Sequence, residues 1–336
     1  MNMIRQPKDY VSNQEVRWCP GCGDYAILKA VQKTLSDLQS DPDQTVFVSG
    51  IGCAARLPYY IETYGFHTIH GRAAAVASGI KLANDGLDVW IVGGDGDSVS
   101  IGTNHFIHLL RRNLNVQYLL INNQIYGLTK GQASPTSNIG VKTPSTPKGN
   151  HTPPIHSIAL ALGAKAGFVA RSGDITQQHL NQTLKRAHAY QGTGFVEILQ
   201  NCIVYADGVF DPVLARQNRA SNMIEVTHQK PLRFGQNNEK GLRLNPSRLK
   251  LEIVENASDD ALLCHDETNP ILAQLLGDME PPTMPVAMGV LYCRDSSELK
   301  NQSANTPLAK KSGAFNEQSD QALYDMLKGA NSWRQD

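Results

Sequence analysis

The sequence predicts an α/β protein built on a doubly wound parallel sheet, and three observations predict it. Short β-branched and aromatic runs at 45–48, 89–92, 116–121, 167–170 and 195–199 alternate with stretches of helical periodicity. Strands that alternate with helices of this length pair in parallel through right-handed crossovers. Glycine and chemistry-bearing side chains follow the first three strands, at the carboxyl ends where ligands of such sheets gather. The 336 residues, 41% apolar, suffice for one enlarged α/β domain.

From Asp24, an N-cap candidate, Ala26, Ile27, Ala30, Val31, Leu35 and Leu38 recur at helical spacing, so a helix over 24–38 follows the Cys19 and Cys22 pair. The run 45–48 is a buried strand opening into Ser49-Gly50-Ile51-Gly52-Cys53. Residues 72–82, rich in Ala, form a helix; 89–92 is a strand, 98–110 a helix and 116–121 a strand. Between 127 and 154 Gly, Ser, Thr, Pro and Lys dominate without periodicity, and a loop this long is functional or disordered. Helices over 155–162 and 175–189 and strands over 167–170 and 195–199 complete the pattern, the last leading to Cys202. After Tyr205 the pattern weakens. The expected division is a cofactor-binding domain over 1–205, an irregular C-terminal extension over 206–295 packing on the domain or a partner, and a flexible tail over 296–336.

Lys plus Arg, 31, equals Asp plus Glu, 31, so no net field draws the chain to nucleic acid or an anionic membrane. Residues 1–10 have no apolar stretch of the signal-peptide kind and no run spans a bilayer, which reads as cytoplasmic. In a reducing compartment six cysteines, two of them clustered, serve metal or redox chemistry rather than a disulfide framework.

Gly93-Gly94-Asp95-Gly96-Asp97-Ser98 lies between a strand and a helix, and Asn122-Asn123 ends the next strand. A diphosphate needs backbone N–H groups and a hard cation, and Asp95 with the Asn123 side-chain oxygen suits Mg²⁺. A dinucleotide fingerprint is the rival reading, but Val99 stands where its third glycine belongs. Cys19-Pro20-Gly21-Cys22 alone serves zinc, dithiol chemistry and iron–sulfur clusters alike. Cys53 and Cys202 follow strands of the same sheet, so four thiolates can converge at one edge.

The GDGD turn followed by a strand ending in Asn-Asn resembles the thiamine diphosphate motif. The resemblance assigns Mg²⁺ to Asp95, Asn123 and the carbonyl of Ile125. It assigns the cofactor to Gly96, Asp97, Gly127 and Leu128, enclosed further by Ile51, Gly52, Cys53, Ala54 and His70. Together with Trp18-Cys19-Pro20-Gly21-Cys22-Gly23, Gly50-Ile51-Gly52-Cys53, His70-Gly71-Arg72 and residues 126–132, this resembles the β subunits of 2-oxoacid:ferredoxin oxidoreductases over roughly 18–205. In that family the matching cysteines, here Cys19, Cys22, Cys53 and Cys202, bind a [4Fe–4S] cluster; zinc is the alternative occupant. Cys264 and Cys293 match no motif.

The resemblance implies oxidative decarboxylation of a 2-oxoacid, with electrons passing singly through the cluster to ferredoxin and the acyl group to coenzyme A, or the reverse. Lys130, where pyruvate-preferring relatives tend to carry glycine, points to 2-oxoglutarate, as does the tail segment 228–243; pyruvate or a branched-chain 2-oxoacid is the alternative. Lys130, Arg72 and His70 are the candidate catalytic residues. Only one thiamine module is present, and Glu62 belongs to the wrong one, so an α subunit is expected to supply the pyrimidine-side glutamate. A non-oxidative decarboxylase or carboligase would give the cysteines no task. A scaffold with a decayed site is disfavoured by intact Asp95, Gly96 and Asn123.

Overall fold

Strand and helix alternate through the first two thirds of the chain. After a 3-10 turn at Pro7–Tyr10 come α1 (Asp24–Leu38), β1 (Thr45–Ser49), β2 (Tyr64–His67), α2 (Ala73–Ala83), β3 (Asp88–Gly94), α3 (Thr103–Arg112) and β4 (Val116–Asn122). A hairpin of β5 (Ile125–Tyr126) and β6 (Gln132–Ala133) opens the long loop, followed by α4 (Ser157–Gly163), β7 (Phe168–Gly173), α5 (Gln177–Ala189) and β8 (Thr193–Leu199). Then come α6 (Asp211–Leu214), α7 (Arg216–Asn222), β9 (Met223–Val226), β10 (Arg233–Phe234), β11 (Lys240–Asn245), β12 (Lys250–Glu255), α8 (Pro270–Gly277) and β13 (Val286–Cys293). This computed structural model describes residues 4–295 and Lys328. The flexible tail expected over 296–336 lies outside the described residues, Lys328 apart.

Eight strands form one sheet in the order β2-β1-β3-β4-β8-β7-β13-β9. The sequence of strands reverses direction across the sheet between β1 and β3, which places a switch point at their carboxyl ends. Along each strand alternate residues serve opposite faces. Val46, Val48, Val89, Ile91, Tyr118 and Leu120 pack with Ala77 of α2, Phe106 of α3, Ile158 of α4 and Leu276 of α8. On the other face Phe47 stacks on Trp90, and Trp90 on His188 of α5, where Asn181 of α5 also donates to Thr34 of α1. Both faces are therefore covered, which is why the central strands read as continuous apolar runs.

Four expectations are corrected. The sheet is mixed, because β13 pairs antiparallel with β7. The segment between α8 and β13 lines a cavity with Asn122 and Leu199 at the carboxyl ends of β4 and β8, so β13 sets out from that end and runs against its neighbour. The stretch 206–295, expected as an irregular extension packing on the domain or a partner, carries regular structure: β9 and β13 complete the main sheet, and Leu232, Phe234, Leu242 and Leu251 of the small β10-β11-β12 sheet join the same core. Its strands escape detection because several are short or half-exposed. The helix expected over 98–110 is broken by a distorted turn at Asp97–Ile101, in which Val99 and Ser100 leave helical geometry, and α3 begins only at Thr103. The edge strand β2 goes unpredicted because all four residues are exposed and leave no burial pattern. Among the described residues no helix is long and apolar enough to cross a membrane.

Candidate active site

The carboxyl ends of β1, β3 and β4 enclose a cavity of about 460 Å³. Ile51, Gly52, Cys53, Ala54 and His70 come from the β1 side, Asp95, Gly96 and Asp97 from the end of β3, and Asn123, Ile125, Gly127 and Leu128 from the end of β4. Every residue that the sequence assigns to the thiamine cofactor and its cation therefore borders one space. Gly52 faces open room at φ +130°, with no atom within 4 Å of where a Cβ would sit. At Gly96 the opposite holds: a Cβ would lie 2.1 Å from the Tyr126 ring, whose hydroxyl donates to the Gly96 carbonyl at 3.1 Å.

The Asp97 carboxylate is turned into its own chain. Its Oδ1 accepts the Ile51 N–H at 3.0 Å and the Gly71 N–H at 2.7 Å, and lies 2.8 Å from His70 Nδ1. It therefore ties three loops together, leaving backbone N–H groups rather than this anion to meet a phosphate. Asp95 is fully buried, and burial pushes its carboxyl up, opposed by Ser134, Thr136 and backbone N–H groups. Asn123 Oδ1 accepts the Ile125 N–H at 3.1 Å, which fixes the turn after β4. One carboxylate, one amide oxygen and one backbone carbonyl make an all-oxygen set of the kind Mg²⁺ takes, with phosphate and water completing the octahedron. The residues present fit both groups.

A second cavity, of about 230 Å³, is lined by Cys19, Cys22, Cys53 and Cys202. Backbone and side-chain bonds bring these thiols together: Trp18 Nε1 donates to the Cys53 carbonyl at 2.8 Å, and the Gly23 N–H donates to Asn201 at 3.2 Å. Burial raises the Cys53 thiol to about 12, reinforced by the charge of Asp24 and by Cys202 and Cys19, with Arg56 opposing. Burial and Asp24 likewise push the Cys22 thiol up. Asp24 itself is raised to about 7 by burial, then Asp174. Among the described residues Gln200 Oε1 is buried without a hydrogen-bond partner. Four thiols around one cavity offer the sulfur ligands that a metal ion or an iron–sulfur group takes.

Two of the predicted catalytic side chains do not line the cofactor cleft. Arg72 stands at the start of α2 and donates to the Ile101 carbonyl at 3.3 Å. Lys130, at φ +76°, borders the thiol cavity instead. Glu62 is exposed and lines neither cavity. Sequence reasoning missed Tyr126, Thr136 and Gln200; Gln200 donates to Cys22 Sγ at 3.3 Å. Adjacency to Asn123 and Cys202 was the signal available for Tyr126 and Gln200, whereas Thr136 sits in the unpatterned loop.

Residues 50–198 match the family model described as thiamine pyrophosphate enzyme, C-terminal TPP binding domain. The 2-oxoglutarate oxidoreductase subunit KorB of Mycobacterium tuberculosis is 42% identical over 331 residues, 98% of this chain and 88% of that one. The chain belongs to the β subunits of 2-oxoacid:ferredoxin oxidoreductases. A 2-oxoacid:ferredoxin oxidoreductase β subunit of Aeropyrum pernix is 50% identical over 56% of this chain and 60% of its own length. The solved 2-oxoglutarate:ferredoxin oxidoreductase of Magnetococcus marinus, with 2-oxoglutarate, coenzyme A and succinyl-CoA bound, superposes with a TM-score of 0.72 at 28% identity, over 96% of this chain and 97% of that one. This β subunit thus shares the fold over most of its length, including the part beyond Tyr205 where the sequence pattern weakens.

Proposed function

We propose that this β subunit is the thiamine-diphosphate-binding, electron-relaying half of an enzyme that converts 2-oxoglutarate and coenzyme A to succinyl-CoA and CO₂, passing electrons to ferredoxin. The observation that carries the reading is a shared wall: Cys53, Asn123, Gly127 and Leu128 line both the cofactor cleft and the thiol cavity. A Cβ at Gly127 would sit 3.5 Å from Cys53 Sγ and 3.7 Å from Cys202 Sγ. A decarboxylase without redox chemistry has no use for thiols set against its cofactor.

Thiamine diphosphate supplies the electron sink for decarboxylation, and a [4Fe–4S] cluster accepts electrons one at a time. Asp95, Asn123 and the Ile125 carbonyl hold Mg²⁺ against the diphosphate, and backbone N–H groups at Gly96 and Asp97 meet its oxygens. Cys19, Cys22, Cys53 and Cys202 hold the cluster. Among the described residues no three metal-binding side chains are gathered for a single ion, while four thiols spread around one cavity suit a polynuclear group. Asp97 fixes the His70 ring with Nδ1 as donor, leaving Nε2 for the cofactor or substrate. Lys130, two residues past the shared Leu128, meets the distal carboxylate of 2-oxoglutarate as a point charge.

Among the described residues no glutamate lines the cleft. The α subunit supplies the missing carboxylate, and exposed apolar Ile69 and Ile101 on either side of Gly71 suit its seat. Unbridged thiols at Cys19, Cys22, Cys53 and Cys202 suit the reducing cytoplasm. Iron and acid-labile sulfide analysis of the anaerobically purified complex tests the assignment: a brown protein with roughly four of each per β chain supports it, and a colourless protein holding zinc contradicts it.

A further inference from the structure

The long loop after β6 threads beneath the metal-ligating turn. Ser134, Thr136 and Ser137 are buried there, at 6%, 2% and 1% exposure, although nothing in their sequence marks them as core. Thr136 Oγ1 lies 2.7 Å from Asp95 Oδ2 and 3.0 Å from Asn122 Oδ1. A hydroxyl has one proton to give, and both neighbours are acceptors. The shorter contact goes to the carboxylate, where a charge-assisted bond is the stronger. Ser134 Oγ, 3.2 Å from Thr136 Oγ1, flanks the same carboxylate.

The far side of this chain of bonds is anchored. Asn122 Nδ2 donates to Glu197 Oε1 at 2.9 Å, so the amide oxygen is the end that faces Thr136. Glu197, on β8, is held by Arg171 Nε of β7 at 2.7 Å and by the Ser157 hydroxyl at the start of α4. Burial raises the Glu197 carboxyl, but Arg171, Ser157 and Asn122 outweigh it and hold it below the usual range. A buried ion pair thus fixes an amide, the amide frames a hydroxyl, and the hydroxyl faces the carboxylate assigned to Mg²⁺.

We infer that Thr136 is a positioning residue for Asp95: its hydroxyl occupies Oδ2 and sets the carboxylate plane, so that Oδ1 is offered to the cation. The inference rests on Asp95 being an Mg²⁺ ligand. Outer-shell bonds of this kind orient ligating carboxylates, and their loss typically costs about 10- to 100-fold in metal affinity.

The test uses the assembled complex, stripped of cofactor and metal and titrated with Mg²⁺ at fixed thiamine diphosphate, with binding followed by calorimetry. Thr136→Val, which keeps the shape and removes the hydroxyl, is expected to raise the half-saturating Mg²⁺ concentration about tenfold or more. Thr136→Ser is expected to restore it close to wild type. If the Val variant fails to assemble, Thr136→Ala carries the same comparison. Unchanged half-saturation in the variant lacking the hydroxyl overturns the inference, even if the stripped complex melts earlier, and so does a Ser variant as impaired as Val. Asp95→Ala separates the two claims: Mg²⁺ dependence like wild type in that variant sinks the ligand assignment itself, whereas its loss beside an unaffected Thr136→Val sinks only the positioning role.

Discussion

Asp97 Oδ1 lies 2.8 Å from His70 Nδ1 while the same oxygen accepts two backbone N–H groups from the Ile51 and Gly71 loops. A residue that motif comparison places against the diphosphate is also the clasp of the cleft. Gly50 lies close beneath it, since a Cβ there would meet Asp97 Oδ2 at 2.0 Å. Shape and cofactor affinity therefore share one side chain.

Replacing Asp97 by Ala strands the Ile51 and Gly71 N–H donors in a largely buried site. Each unsatisfied donor costs about 1–3 kcal/mol, so urea unfolding of the cofactor-free chain should show a loss of about 2–6 kcal/mol. A loss below about 0.5 kcal/mol, the range of ordinary surface substitutions, would show that the clasp is not structural.

Much of this was legible in the sequence for a simple reason. The central strands are buried on both faces, so their runs are continuous, and the turns that bear the chemistry must sit at strand ends where glycine, Asp95 and Asn123 are explicit. What remained hidden depends on contacts that no local pattern encodes. Thr136 reaches Asp95 across 41 positions, and β13 reaches the sheet after a stretch of short or half-exposed strands. Lys130, at φ +76°, borders the thiol cavity beside Leu128, which that cavity shares with the cofactor cleft, a placement its neighbours in sequence do not encode. Arg72 carried a motif's position but spends its guanidinium on a carbonyl of the neighbouring turn.

The cysteines divide into two classes with different expected phenotypes. Cys202→Ser should abolish the iron and sulfide content of the complex and its visible absorption, because one of the four thiolates lining the thiol cavity is lost. Cys264, exposed and outside the thiol cavity, should be replaceable by Ser with no change in either. Equal iron content in both variants would contradict the assignment.

Acid sensitivity should include a contribution from His265. The ring is buried, its Nε2–H donates to the Val290 carbonyl at 2.8 Å, and burial lowers its pKa below the ordinary 6.5 despite that bond. The unfolded chain takes up the proton first, so this contribution is complete above about pH 6.5 and is lost as the pH falls from there through the folded value. Urea midpoints for wild type and His265→Gln should converge as the pH is lowered from about 7 to about 5. A gap that stays constant over this interval would show that the histidine does not titrate on unfolding.

Lys130 provides the substrate test. In the assembled complex Lys130→Gly should raise KM for 2-oxoglutarate by about tenfold or more, the loss of one charge-assisted contact, while leaving pyruvate nearly unaffected. An unchanged ratio of kcat/KM between the two acids would remove lysine from substrate choice.

The most direct measurement is 2-oxoglutarate-dependent ferredoxin reduction by the chain with and without its α partner, under anaerobic conditions with thiamine diphosphate, Mg²⁺ and coenzyme A. Turnover is expected from the complex and none from the β subunit alone, because among the described residues no glutamate lines its cleft. Sustained turnover by the isolated chain, or none with any 2-oxoacid from a complex that holds both thiamine diphosphate and the cluster, would contradict the account.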